Sequence, residues 1–330
     1  MPAHVIAEAG TNHGGDLSMA RRLVDIAVSA GADSFKVQMI YPDGSYVPEF
    51  YQDGTYAPNE VFGQRSATML TDKDYRALAE YCRSSGVEFA ATVFDARGIS
   101  LADSLDVPYL KIASCDLNDS RHLRDCASTG RRIVLSTGMA TLIEVDRAVS
   151  EISSMGNSDI VLMHCVSVYP CPIDEMNLAF VGTLRDNFPF PVGLSDHTDS
   201  SLPAIVACGI GATWFEKHFT YDRTVVGSDH HFSLGPEEFR AYVGDVRSAE
   251  TTIAQRPEKI GQAEHALRSR VRRGLYAARN ISAEEVIEDC DILVVRPSGP
   301  LAPDDVDLVV GHRAARDIAR YEPLSLLCVH

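Results

Sequence analysis

Eight times between residues 5 and 219, a short apolar run gives way to a longer amphipathic stretch. The runs are VIAEAG (5–10), SFKVQ (34–38), EFAATVF (88–94), YLKIAS (109–114), RIVLST (132–137), IVLMHCVS (160–167), PVGLSD (191–196) and TWFEKHF (213–219). Each has the length of a buried strand, and the stretches between them carry helical signals. LSMARRLVDIAVSAGA sets Leu23, Ile26, Ala27 and Ala30 on one face. TDKDYRALAEYCRSSG opens on Thr71 as an N-cap with Asp74 in the first turn, and stops at Gly86. Eight β-then-α units in about 250 residues predict an α/β fold, a (β/α)8 TIM barrel. An open doubly wound sheet, the competing architecture, normally uses fewer strands.

Residues 39–70, rich in Tyr, Pro and Gly, are too many for an ordinary βα loop and predict a lip over the barrel mouth. The expected barrel domain spans 1–254. Residues 255–270 read as a linker, and 271–330 carry short β-like pieces such as GLYAA and DILVVRP. That last module is expected to be too short for a robust core of its own.

Hydrophobic residues make up 45% and charged residues 23% of the 330, which fits a well-packed globular protein. The net charge of −16 argues against a nucleic-acid surface. The eight cysteines form no CxxC pair, and Cys82, Cys126 and Cys208 sit among apolar helix residues, so reduced thiols in a cytoplasmic protein are expected. No run reaches the roughly 18 apolar residues of a membrane span.

In such barrels chemistry sits where the strands end, and here those ends are polar. Glu8 closes the first strand; Lys36 and Gln38 share a face of the second. Thr92, Lys111 with Ser114, Ser136, Ser167 with Tyr169, Ser195 with His197, and Glu216 with His218 follow on the others. Alternation sends Glu216 and His218 inward and Lys217 toward the helices. On adjacent strands, His197 and His218 suit a divalent transition metal completed by water or substrate. A pair of hydrogen-bonded histidines beside Asp196 and Glu216 explains the same spacing equally well. Lys36 and Lys111 imply an anion, unless Glu8 or Glu216 pairs with one of them internally.

IAEAGTNHGGDLSMARRLVDIAVSAGADSFKVQ, YLKIAS, STGM, HCVSVYPCP, GLSDHT and FEKHFTYDRTVVGSDHHFSL stand in the order and spacing of the sialic acid synthases. The chain resembles that family, which makes N-acetylneuraminate, legionaminate and pseudaminate. Residues 271–330 resemble its SAF (antifreeze-like) domain. The resemblance implies a transferase that condenses phosphoenolpyruvate with the open-chain aldehyde of an amino sugar such as N-acetylmannosamine. The enol carbon attacks the aldehyde, water adds to the resulting cation, and phosphate leaves by C–O cleavage. It implies a metal on His197 and His218, typically manganese, with magnesium or cobalt as alternatives. It assigns Lys36, Thr92, Lys111, Ser114, Ser136, Ser167 and Ser195 to the phosphate and carboxylate, and Glu8 to the attacking water. Gln38, Tyr169, Glu216 and Asp229 match sugar-facing positions. Arg296 matches an arginine that reaches the acyl-amino group from the other subunit of a domain-swapped homodimer.

Gly14 in NHGG, Val93 in ATVFD, Val166 in HCV and Asp116 depart from the family pattern, all around the sugar side, and leave the acceptor open. Two other readings compete. A metal-dependent barrel lyase or epimerase would need only the histidines and carboxylates, and would leave Lys36 and Lys111 unexplained. A non-catalytic sugar-binding scaffold would predict loss of the histidine pair, which is intact.

Overall fold

The computed structural model describes residues 2–227, 229–254 and 260–330. The chain divides into two compact units, Met1–Ala254 and Gln255–His330. In the first, eight parallel strands close on themselves: β1 (His4–Gly10), β2 (Ser34–Met39), β3 (Glu88–Val93), β4 (Tyr109–Ile112), β5 (Arg132–Ser136), β6 (Ile160–Cys165), β7 (Val192–Asp196) and β8 (Trp214–His218). Each pairs with its successor, and β8 returns to β1 with Glu8 opposite His218. Helices α1 (Leu17–Ala30), α2 (Asp72–Ser85), α3 (Ala96–Ser104), α4 (Ser120–Ser128), α5 (Leu142–Ser154), α6 (Ala179–Asn187), α7 (Leu202–Ile210) and α8 (Pro236–Ile253) follow the strands in turn. This is a TIM barrel.

Local chemistry explains the boundaries. Thr71 and Asp74 form a reciprocal capping box at the start of α2, and Gly86 ends the helix with φ at 77°. On α1 the buried face is Ala20, Leu23, Val24, Ala27 and Ala30; Ile26, expected on that face, is only partly covered, because Val24 takes its place.

The strand interior is layered. Ile6, Ala90, Tyr109, Val134, Val161, Met163 and Trp214 form a buried apolar cluster inside the barrel. Gly193 makes that packing possible: a Cβ there would lie 2.5 Å from Met163 Sδ and 2.7 Å from Trp214 Cβ. Side chains alternate across a sheet, and on six strands the next inward position, two residues further along, is polar. Ile6 is followed by Glu8, Ala90 by Thr92, Tyr109 by Lys111, Val134 by Ser136, Gly193 by Ser195 and Trp214 by Glu216.

Six expected strands are shorter than the sequence suggests, and in two of them the difference moves site residues off the strand. β4 ends at Ile112, so Ser114 opens a 3-10 turn, and β6 ends at Cys165, so Ser167 and Tyr169 lie in the following loop. His197 stands one residue beyond β7. Residues 39–70 hold a short helix (Pro42–Ser45), a hairpin (Glu49–Gln52 with Thr55–Pro58) and a helix (Glu60–Thr68). Phe50, Tyr51 and Tyr56 on that hairpin are exposed.

Of the segment read as a linker, 255–259 lies outside the described residues, and the remainder holds most of helix α9 (Gln262–Val271). The second unit pairs β9 (Gly274–Ala277) antiparallel with β10 (Ile292–Val295). Against expectation it assembles its own core, from Leu275, Ile281, Ile287, Val309, Ile318 and Leu324 among others. Closely spaced turns let a chain of this length bury them together.

Candidate active site

At the C-terminal end of the strands lies a cavity of about 320 Å³. Glu8, Lys36, Gln38, Thr92, Lys111, Ser114, Ser136, Ser167, Tyr169, Ser195, His197, Glu216 and His218 all line it. Asp229, in the loop after β8, adjoins this group, with Oδ2 3.8 Å from His218 Nδ1. Arg296 is exposed in the second unit, one residue beyond β10.

The lysines are not left as bare cations. Lys36 Nζ is 2.6 Å from Glu8 Oε2 and 3.7 Å from Glu216 Oε2, and it donates to Thr92 Oγ1 at 2.7 Å. Lys111 Nζ donates to Ser136 Oγ at 2.5 Å and lies 3.9 Å from Glu216 Oε2. Internal pairing therefore involves both lysines and both carboxylates. Gln38 Nε2 donates to the other oxygen of Glu8 at 3.2 Å, and Ser195 Oγ donates to Glu216 Oε1 at 3.2 Å.

This arrangement separates the two carboxyl groups. Burial pushes Glu8 up to about 7 despite Lys36 beside it. Glu216 is equally buried, but Lys111, Lys36 and the two histidines outweigh that burial and hold it below the ordinary carboxylate range. Carboxyl groups driven apart in this way divide acid–base roles between them. Burial likewise holds His218 well below the usual imidazole range, so it stays neutral.

His197 and His218 converge with ring centroids 5.6 Å apart, and Tyr169 lies against His197 at 4.1 Å. His197 Nδ1 donates to the Val166 carbonyl at 2.8 Å, which orients the ring with Nε2 toward Ser195 Oγ at 3.5 Å. His218 Nδ1 is buried without a hydrogen-bond partner. The neutral His218 imidazole fits a divalent transition ion as it stands. At His197 burial is outweighed by Cys165, the Val166 carbonyl and Glu216, which raise it above the usual imidazole range, so His197 would shed a proton on taking a metal. Among the described residues no three His, Cys, Asp or Glu side chains gather as a ligand set. The pair would therefore hold an ion only with water or substrate completing the shell. Asp196 is no partner of these histidines: it lies 3.0 Å from Lys217 Nζ, behind the sheet, where that lysine also sits over the Tyr242 ring of α8.

The loop after β5 adds a feature that strand periodicity could not reveal. Gly138 N–H donates to Ser114 Oγ at 3.0 Å, and a Cβ on Gly138 would collide with Ser114 Oγ and Ser167 Oγ. Three loops thus meet at the one residue that leaves room for their hydroxyls. Phe94, Cys115, Met139 and Cys165 also line the cavity and escaped the sequence reading. For Cys165 a signal existed: it sits two residues after Met163, on the inward face.

The NeuB family model matches residues 23–258, and an SAF domain model matches 272–329. The chain belongs to the NeuB family. It is 36% identical to the N,N'-diacetyllegionaminic acid synthase of Legionella pneumophila, over 97% of this chain and 92% of that one. Against a pseudaminic acid synthase of Campylobacter jejuni the identity is 31%, covering 95% and 93%. The solved N-acetylneuraminic acid synthetase of Leptospira borgpetersenii, in complex with citrate, superposes with a TM-score of 0.72 at 32% identity, covering 81% of this NeuB-family chain and 90% of that one. No described helix is long and apolar enough to cross a membrane.

Proposed function

We propose that this chain condenses phosphoenolpyruvate with the open-chain aldehyde of an N-acylated amino sugar, giving a 3-deoxy-2-ulosonic acid and phosphate. What carries this reading is one cavity at the barrel mouth that brings together two lysines, five Ser and Thr hydroxyls and a converging histidine pair. Legionaminic and pseudaminic acid synthases among the relatives support it.

In this reading Lys36, Lys111, Thr92, Ser114, Ser136, Ser167 and Ser195 bind the phosphate and carboxylate. Binding exchanges their internal carboxylate partners for those of the ligand, so the cations stay paired throughout. Glu8 accepts the proton of the water that adds to the oxygen-bearing cationic carbon left when phosphoenolpyruvate attacks the aldehyde, a task suited to a base poised near neutrality. Gln38, Tyr169, Glu216 and Asp229 orient the sugar. A divalent metal on His197 and His218, manganese by preference, would supply Lewis-acid polarisation of the aldehyde oxygen. Arg296 would act on a second copy's barrel in a homodimer, which sedimentation of the full chain tests.

The deciding experiment is phosphate release from phosphoenolpyruvate across a panel of aldoses, with and without chelator. Release stimulated by an N-acylated mannosamine and lost on chelation is expected. If no aldose stimulates it, the reading is wrong. With 18O in the bridging position of phosphoenolpyruvate, the label should leave with phosphate.

A further inference from the structure

We propose that Asn12 is a positioning residue for the sugar end of this site, acting through Asp229; the inference rests on the function proposed above. Asn12 lies in the turn after β1 and is fully buried. Both ends of its amide are engaged. Nδ2 donates to the Phe219 carbonyl at 2.9 Å and to Ser233 Oγ at 3.1 Å, while Oδ1 accepts the Asp229 N–H at 3.0 Å. Ser233 Oγ in turn donates to the Asp229 carbonyl at 2.6 Å. The peptide groups on both sides of Asp229 are thus held by Asn12 and Ser233, which bond to each other.

The carboxylate is confined as well. It accepts the backbone N–H of Thr11. It packs where Gly10 has no side chain, so a Cβ at Gly10, whose φ is +56°, would strike Asp229 Oδ2. Asp229 belongs to no strand, so its place 3.8 Å from His218 Nδ1 is set by the turn after β1 rather than by its own element. A planar amide that offers donors and an acceptor together is the side chain this bracket requires. Loss of such a bracket lets a loop carboxylate drift, and misplacements of about 1 Å can cost two orders of magnitude in rate.

A mere stitch between two loops would lower stability without favouring either substrate. A positioning role makes a narrower statement, tested with Asn12→Ala, Ser233→Ala and Asp229→Ala, alone and combined, once wild-type phosphate release is established. Asn12→Ala should raise the KM for the aldose about tenfold and lower kcat, while the KM for phosphoenolpyruvate stays within about twofold. Ser233→Ala should act in the same direction by about threefold, and it decides the matter if Asn12→Ala does not fold. On an Asp229→Ala background, Asn12→Ala should add less than about twofold. A full effect on that background, or an equal rise in both KM values, overturns the proposal.

A second readout does not need catalysis. Amide hydrogen exchange at Asp229 should be at least about tenfold faster in Asn12→Ala than in wild type, with Glu216 in β8 unchanged. Unchanged exchange at Asp229 overturns the bracket. An inactive wild type with faster exchange would sink the proposed reaction and leave the bracket standing.

Discussion

In the proposed reaction Glu8 is the residue on which the chemistry turns. Burial lifts its carboxyl to about 7, so the ionised form needed to take a proton accumulates only as the pH rises through neutrality. The pH profile of kcat/KM should therefore climb with unit slope below about 7 and level off above it. Glu8→Gln should cost about 10²–10⁴-fold in rate and erase that limb; the same limb persisting in the variant would remove Glu8 from the role. The histidines are tested without turnover. Mn2+ at a hundredfold excess over its Kd should stabilise the native chain by about 2.7 kcal/mol, read as a raised Tm, and His218→Ala should abolish the rise. At this scale the sequence was readable for most groups that sat on a strand, since alternation alone sends Glu8, Lys36, Lys111 and Glu216 inward, although Cys165 at the end of β6 was passed over. Asn12 and Gly138 were not, because the value of a loop residue depends on which other loops it meets.

Elements show the same divide. Strand and helix order, and the capping box at Thr71, follow from local pattern, whereas strand ends do not. Ser114, Ser167 and Tyr169 reach the cavity from turns that periodicity merged with the strands before them. The β5–α5 loop gives a direct check. Gly138→Ala should push Ser114 and Ser167 apart, raise the KM for phosphoenolpyruvate by about tenfold or more and, because Gly138 is buried, lower the Tm as well. Behind the sheet, Lys217 and Asp196 tie β8 to β7 with side chains that are 2% and 0% exposed. Lys217→Met should strand a buried carboxylate and destabilise the chain by about 3–5 kcal/mol in denaturant titrations. A loss under about 1 kcal/mol would mean that Asp196 finds other donors, of which Thr198 already supplies two.

For the whole molecule, the eightfold rhythm was enough to give the barrel, because few topologies place eight β-then-α units in about 250 residues. The autonomy of the second unit's core was missed, since ten buried residues scattered from Leu275 to Cys328 carry no period. Each unit has its own hydrophobic cluster. A chain ending at Ala254 should accordingly retain cooperative unfolding and barrel-like circular dichroism. The apolar cluster beneath the polar tier has a kinetic meaning as well. Ile6, Tyr109, Met163 and Trp214 close the barrel's lower end, so the cavity is a cul-de-sac. In the proposed reaction both reactants would pass one doorway, and whichever enters second would stand in the way of the first. Product-inhibition patterns should then show a compulsory order of arrival and departure, with traffic at the mouth rather than bond-making setting the pace of turnover.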